Sequence, residues 1–140
     1  MTDDIEAPTL PQFMQTVRAA FAFLQQFGFS EISPPLHREK ERFQVWFRAT
    51  DRFVIVRGEG YGTMAAVMLE HDGLELGEID LVPVEERPQA MRKAQRGQLV
   101  QIHEAARRLE KHGADFLRGE MGRFLARARA IPPYKRTGSP

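Results

Sequence analysis

The spacing of apolar residues changes twice along this 140-residue chain, and this restricts the fold more than any single motif does. Apolar positions recur with helical spacing over residues 10–27, alternate over 43–47, and return to helical spacing from residue 99. Spacing of three to four residues indicates an amphipathic helix, and alternation indicates a half-buried strand. The order predicts an α+β protein with an N-terminal helix, a central sheet and C-terminal helices.

Helix signals are clear at the start of the chain. Thr9 and Gln12 have the spacing of a capping box, in which each side chain binds the other residue's backbone N–H. We expect one helix from Thr9 to Phe27, ended by Gly28 in the left-handed conformation. Residues 1–8 are predicted to form a loose arm.

The middle of the chain predicts an antiparallel meander of three to four strands, at 43–48, 53–57, 63–70 and 74–82. Asp72-Gly73 is typical of a tight hairpin turn. Residues 58–62 read Gly-Glu-Gly-Tyr-Gly and predict a hairpin connection. A dinucleotide site would need different glycine spacing and a following helix.

Two further amphipathic helices follow, the first ended by Gly113 and the second centred on Phe124. We expect both to pack on one face of the sheet, which leaves the opposite face or an edge free for a partner. The predicted organisation is one domain over residues 1–130 and a flexible basic tail over 131–140.

Composition excludes several classes of function. The chain has no cysteine, which removes disulfides, thiolate catalysis and thiolate zinc sites. The longest apolar run, residues 64–69, is far shorter than the roughly 20 residues of a membrane helix. The acidic start lacks the basic and apolar regions of a secretory signal. These features predict a cytoplasmic protein with no membrane partner, and none of them sets an oligomeric state.

Charge is sorted by position although the net charge is +1. Residues 1–86 contain 15 Asp/Glu and 7 Lys/Arg, whereas residues 87–140 contain 4 and 13. Such asymmetry indicates either a charged partner or an attraction between the two halves. For a basic protein partner, the predicted binding residues are Trp46, Glu59, Tyr61, Glu70, Asp72, Glu75 and Glu78.

Trp46 alternates with the apolar strand positions, so it faces away from the expected core. It is then either an exposed interface anchor or a residue covered by the arm or a C-terminal helix. The alternative to protein binding is nucleic-acid binding by the basic helices. The predicted phosphate-binding residues are Arg107, Arg108, Lys111, Arg123 and Arg127.

Signals for catalysis are weak, and we expect no enzyme, no cofactor and no metal. His71 adjoins Asp72 in an acidic stretch, which is the composition of an acid–base pair but equally of a turn. His103 and Glu104 lie on a predicted helix, but Arg107 occupies the position at which a zinc site needs its second histidine.

In layout the chain resembles small bacterial toxin-immunity proteins and other small bacterial α+β proteins. The similar segments are residues 23–29 (FLQQFGF), 45–47 (VWF), 54–56 (VIV) and 114–120 (ADFLRGE). The resemblance implies a non-enzymatic module that docks a basic partner through an acidic sheet face or edge. A secretion-chaperone-like protein is a further alternative, from which the basic last third departs.

Overall fold

A computed structural model describes residues 7–35, 41–92 and 96–131. It has an N-terminal helix, an antiparallel sheet and C-terminal helices, which confirms the predicted α+β class. Residues 1–6 of the predicted arm and 132–140 of the predicted tail lie outside the described residues. The strands are β1 (Ser30–Ile32), β2 (Gln44–Ala49), β3 (Arg52–Glu59), β4 (Met64–His71) and β5 (Leu74–Gly77). The α-helices are α1 (Leu10–Ala20), α2 (Arg87–Ala90), α3 (Gln98–His112), α4 (Ala114–Leu117) and α5 (Gly122–Ala130).

Helix α1 begins at the predicted capping box. Thr9 N donates to Gln12 Oε1 at 2.9 Å, and Gln12 N donates to Thr9 Oγ1 at 3.3 Å. The prediction of one helix to Phe27 is wrong, because α1 ends at residue 20 and a six-residue 3-10 helix follows. Three residues per turn place Phe21 and Leu24 on one side of the chain. Both are 1 % exposed, so the tighter winding serves core packing.

The sheet is a meander of five strands in the order β1-β2-β3-β4-β5, one more than the largest number expected. Strand β1 is the addition, and its three residues pair with β2 in antiparallel register. Arg18 on α1 ties this strand to the helix. Its Nε and Nη2 donate to the two carboxylate oxygens of Glu31, each at 2.9 Å.

Strand β5 ends after four residues, so the predicted continuation to Val82 is wrong. The segment Glu78–Leu81 forms a 3-10 helix instead. Its Asp80 carbonyl accepts hydrogen bonds from Arg87 Nη2 at 3.0 Å and from Arg127 Nη2 at 3.1 Å. Side chains therefore satisfy this backbone carbonyl in the absence of a neighbouring strand.

The helices pack on one face of the sheet, as predicted. Alternate strand residues supply that face of the core: Val45, Phe47, Val54, Val56, Val67 and Leu69. The opposite face carries a row of paired residues that runs across four strands: Ile32, Trp46, Ile55 and Met68. Strand pleating fixes this separation, since successive side chains point to opposite faces.

Candidate functional site

The turn between β3 and β4 presents Tyr61 to solvent and forms the predicted hairpin connection. Gly60, Tyr61 and Gly62 have successive φ angles of 62°, 56° and 90°. Glycine adopts this left-handed conformation without strain, but a bulky residue does so rarely. Thr63 stabilises the turn, since its N–H and Oγ1 donate to the Gly60 carbonyl at 3.2 and 2.6 Å. The tyrosine side chain is fully exposed as a result.

A groove of about 480 Å³ lies beside this turn, and we call it the hairpin groove. It is bordered by residues 58–62 of the turn, by residues 7–8 before α1, by residues 41–43 before β2, and by Gln98. Gly62 permits the close approach of the N-terminal segment, because a side chain there would collide with Ala7. The groove therefore lies where three separate parts of the sequence meet one end of the sheet.

Gln98, the first residue of α3, is the buried residue of the hairpin groove and is 1 % exposed. Its Nε2 donates to the Met64 carbonyl at 2.7 Å. Its Oε1 is buried and has no hydrogen-bond partner within the described ranges. Gly58 leaves room for the amide, since a Cβ at that position would lie 2.7 Å from Gln98 Nε2 and 3.1 Å from Phe13 Cε1.

The described lining of the hairpin groove contains two carboxylates, Glu41 and Glu59, and one cation, Arg42. Glu59 is exposed at the end of β3 and forms no ion pair with another described residue. Glu41 Oε1 lies 4.0 Å from Arg57 Nη1, and the Glu41 side chain is 52 % exposed. Arg42 is the cation of the described lining and is also exposed. Because Arg57 lies near Glu41, the exposed carboxylate of Glu59 is the group that favours a cationic ligand over an anionic one.

The structure divides the seven residues predicted to bind a partner. Glu59 and Tyr61 border the hairpin groove. Three others lie at the opposite end of β4 or just beyond it: Glu70, Asp72 and Glu75. With a rise of roughly 3.3 Å per strand residue, the two ends of β4 are about 23 Å apart. These residues therefore form two groups, and the remaining two predicted residues are buried.

Trp46 is one of the buried pair, which overturns the interpretation of its side chain as an exposed anchor. It is 7 % exposed. Its indole Nε1 donates to Gln44 Oε1 at 2.8 Å, and its ring packs edge-on against Phe53 with centroids 6.0 Å apart. The alternating pattern placed Trp46 on the correct sheet face. Gln44 and Phe53 lie on that same face and supply the hydrogen bond and the ring contact. A side chain that points away from the core face is therefore not always exposed to solvent.

Glu78, the other buried member of the set, belongs to an internal ion pair instead of a free acidic surface. Its side chain is 4 % exposed, and Arg108 Nη2 lies 2.6 Å from Glu78 Oε1. Close by in sequence, Glu86 Oε1 lies 3.5 Å from His112 Nε2. Arg108 and His112 of α3 thus lie against Glu78 and Glu86. Along this segment the two halves of the chain attract each other, which is the second interpretation of the charge asymmetry.

Glu70, Asp72 and Glu75 form the acidic end of the sheet away from the hairpin groove. Asp72 is exposed and has a φ of 54°, followed by Gly73 at 79°, as the predicted tight turn requires. Glu70 and Glu75 lie directly opposite each other on β4 and β5, and both are partly buried. Like charges in this register repel each other.

Arg123 and Arg127, both predicted to bind phosphate, hold α5 against the rest of the protein. Arg123 Nε and Nη2 donate to the Asp115 carboxylate at 3.0 and 2.9 Å, and Nη1 donates to the Leu81 carbonyl at 3.0 Å. These side-chain hydrogen bonds lower the pKa of Asp115. Arg127 donates to the Asp80 carbonyl, while burial raises the pKa of the Asp80 carboxyl.

Arg107 and Lys111 are the members of the basic set that remain available to a ligand. They are exposed one turn apart on α3 and line a cleft of about 340 Å³ between α2 and α3. Neither forms an ion pair with another described residue. A carboxylate also borders this cleft, because Glu104 Oε1 lies 2.6 Å from Arg96 Nε. The phosphate-binding set is thereby reduced from five residues to two.

His71, the residue considered for acid–base chemistry, lies against Asp51 and not against its neighbour Asp72. Its Nδ1 is 3.5 Å from Asp51 Oδ2, and its ring is edge-on to Phe124 with centroids 6.3 Å apart. This arrangement joins the β2–β3 turn to α5. Among the described residues, Asp51 is the carboxylate that pairs with the imidazole, and the carboxylates predicted beside His71 do not.

Within the described ranges, no group of three or more His, Cys, Asp or Glu side chains could hold a metal ion. Among the same residues, no helix has the length and apolar character to cross a membrane. The chain matches no protein family, no curated protein and no solved structure.

Nine of the eleven residues that line the hairpin groove were absent from the predicted set, and four of them are Glu41, Arg42, Phe43 and Gln98. A signal for Gln98 exists in the sequence. It lies four residues before Ile102, in the apolar stripe of α3, where a polar residue is unexpected. A glutamine at a core position needs hydrogen-bond partners, so its presence in the stripe indicates a buried polar contact.

Proposed function

We propose that the protein is a non-enzymatic binding module that docks a basic protein partner at the hairpin groove. The observation that carries the proposal is Tyr61, fully exposed in a left-handed conformation between two glycines. A bulky side chain in such a backbone conformation is unfavourable for stability alone. Tyrosine is enriched at the energetic centres of protein interfaces, where a rigid ring fills a partner's pocket.

The charges around the hairpin groove support a basic partner. Glu59 and Glu41 lie on two sides of the groove, and both side chains are exposed. Opposite charge across an interface speeds encounter and sets specificity. A nuclease toxin is basic because it binds phosphates, so an immunity-type role is the specific form of this proposal.

Protein docking is preferred to nucleic-acid binding because of the contacts that the predicted cations make. Arg108, Arg123 and Arg127 are engaged with carboxylates or backbone carbonyls. Phosphate binding depends on the number of cations that reach the backbone of the nucleic acid. Arg107 and Lys111 alone offer a small number of such contacts.

The test compares proteins captured from the native host by three tagged full-length chains. These are the wild type, a Glu59→Lys/Tyr61→Asn variant, and Val84→Asn, which alters a 63 % exposed apolar residue outside the groove. Asparagine tolerates the left-handed conformation, so the turn is preserved. We expect one basic protein to be captured by the wild type and the Val84 variant. With the purified partner, the groove variant should bind at least about tenfold more weakly, which is roughly 1.4 kcal/mol.

Two results would count against the proposal. One is an identical set of captured proteins for all three chains. The other is the capture of acidic proteins alone.

A further inference from the structure

We infer that the hairpin groove receives an arginine side chain of the partner, an inference that rests on the proposed function. The first observation is the unpaired oxygen of Gln98. Its Nε2 donates to the Met64 carbonyl, which fixes the amide orientation and leaves Oε1 as an acceptor. A buried acceptor without a partner is unfavourable, so a donor from a ligand gains a full hydrogen bond there.

The second observation is the combination of space, charge and aromatic rings. A volume of about 480 Å³ is within the range of ligand-binding pockets. Glu59 supplies an exposed carboxylate, and Phe43 and Tyr61 supply rings on the groove border. A guanidinium group donates five N–H groups in one plane and stacks on aromatic faces. It can therefore donate to more than one acceptor of the groove border, which includes Gln98 and Glu59.

Other ligand chemistries fit less well. A lysine ammonium has three donors and can lie over a ring, but it lacks the flat face and the planar paired donors of a guanidinium. An anionic group would meet the carboxylates of Glu41 and Glu59 and an acceptor at Gln98. Arg42 would be its cationic contact in the described lining. The balance of donors and acceptors thus selects a cation with several N–H groups.

The probe is the peptide acetyl-Gly-Arg-Gly-amide, added to the full-length 15N-labelled chain. Matched peptides carry lysine or the uncharged isostere citrulline in place of arginine. We expect saturable shifts of the Gly58 and Gly60 backbone amides and of the Gln98 side-chain amide. Affinity should be at least fivefold lower for the lysine peptide and lower still for the citrulline peptide. Absence of saturable shifts at these groups, or equal binding of the three peptides, would overturn the inference.

Variants then connect the shifts to the named groups. Gln98→Met removes the acceptor and should weaken binding of the arginine peptide at least fivefold, provided that its spectrum remains that of a folded chain. Glu59→Gln changes an exposed residue and should weaken binding without disturbing the fold. Glu110→Gln, an exposed charge change on α3 outside the groove lining, is the matched control and should bind as the wild type does. Unchanged binding in Glu59→Gln would refute the assignment even if Gln98→Met did not fold.

The same variants separate this inference from the proposed function. If the partner is captured through the turn but Gln98→Met and Glu59→Gln bind it as the wild type does, the arginine inference fails and protein docking stands. If the arginine peptide binds at the groove but no partner is captured through the turn, the inference about groove chemistry stands and the proposed docking fails.

Discussion

Replacement of Gly58 by alanine tests the packing beneath the hairpin groove. The new Cβ would lie 2.7 Å from Gln98 Nε2 and 3.1 Å from Phe13 Cε1, both closer than ordinary contacts. Phe13 is 0 % exposed in the core and has little room to move. The Gln98 amide is the end of a flexible side chain, so we expect it to move and to lose its hydrogen bond to the Met64 carbonyl.

The magnitude follows from three contributions. Overpacking a filled site costs about 1–3 kcal/mol, and the lost hydrogen bond costs about 1 kcal/mol. Alanine offsets roughly 0.5–1 kcal/mol of this by restricting the unfolded chain. The free energy of unfolding should therefore fall by about 2 kcal/mol. At about 4 °C per kcal/mol for a chain of this length, Tm should fall by about 8 °C.

Urea unfolding of a double-mutant cycle is the assay. In a Gln98→Ala background the Gly58→Ala penalty should shrink by about 1 kcal/mol, because the colliding amide is gone. Gly122→Ala is the control: its Cβ would meet nothing within 4 Å, and a helical alanine should leave stability unchanged or raise it by up to about 1 kcal/mol. The reasoning is refuted if Gly58→Ala is as stable as the wild type, or if its penalty is the same in both backgrounds.

Three further predictions concern the ion pair of α5, the basic cleft and the tryptophan. Because Arg123 lowers the pKa of Asp115, this pair should stabilise the fold above the unfolded pKa of about 3.9 and lose its effect as pH falls through the lower folded value. Arg123→Gln should thus lower stability in urea unfolding more at pH 7 than at pH 2, where the loss of its hydrogen bond to the Leu81 carbonyl remains, and an equal loss at both would contradict this. An Arg107→Gln/Lys111→Gln variant should change stability by less than about 0.5 kcal/mol; steep, salt-dependent nucleic-acid binding by the wild type that this variant lacks would favour the alternative function. Trp46, the only tryptophan, should emit at short wavelength and resist acrylamide quenching, and quenching like that of free tryptophan would disprove its burial.

Local signals predicted much of the fold. The capping box at Thr9 and Gln12 depends on residues three positions apart, and it formed as expected. The Asp72-Gly73 turn likewise depends on two adjacent residues that tolerate positive φ angles. Alternation predicted β2, β-branched and aromatic residues predicted β3, and the turn signals beside them predicted β4 and β5.

The errors occur where distant residues determine the local conformation. Strand β1 has three residues and forms because β2 lies beside it. Strand β5 ends at Gly77, and the 3-10 helix that follows it is contacted by Arg127, which is nearly fifty residues later and binds the Asp80 carbonyl. Sequence periodicity carries no information about either contact. The positions of charged residues in the sequence likewise do not show which charges pair. Arg108 and Glu78 are far apart in the sequence but form an ion pair in the fold.

The sequence predicted two residues of the candidate site but not the buried one. Glu59 and Tyr61 were selected because they belong to an acidic, glycine-rich connection, and they border the hairpin groove. Gln98 was missed because its importance depends on contacts with Gly58 and Met64, which are more than 30 residues away in the sequence. The polar position in an apolar stripe was visible, but its unpaired oxygen is a property of the folded chain.

The borders of the sheet restrict how another molecule can associate with it. Strands β1 and β5 at the two outer positions have three and four residues, and α5 packs beside β5. A visiting strand would find few backbone groups with which to extend the ladder. Association by strand addition, including zippering of one copy onto the next at high concentration, is therefore disfavoured, and recognition has to be carried by side chains.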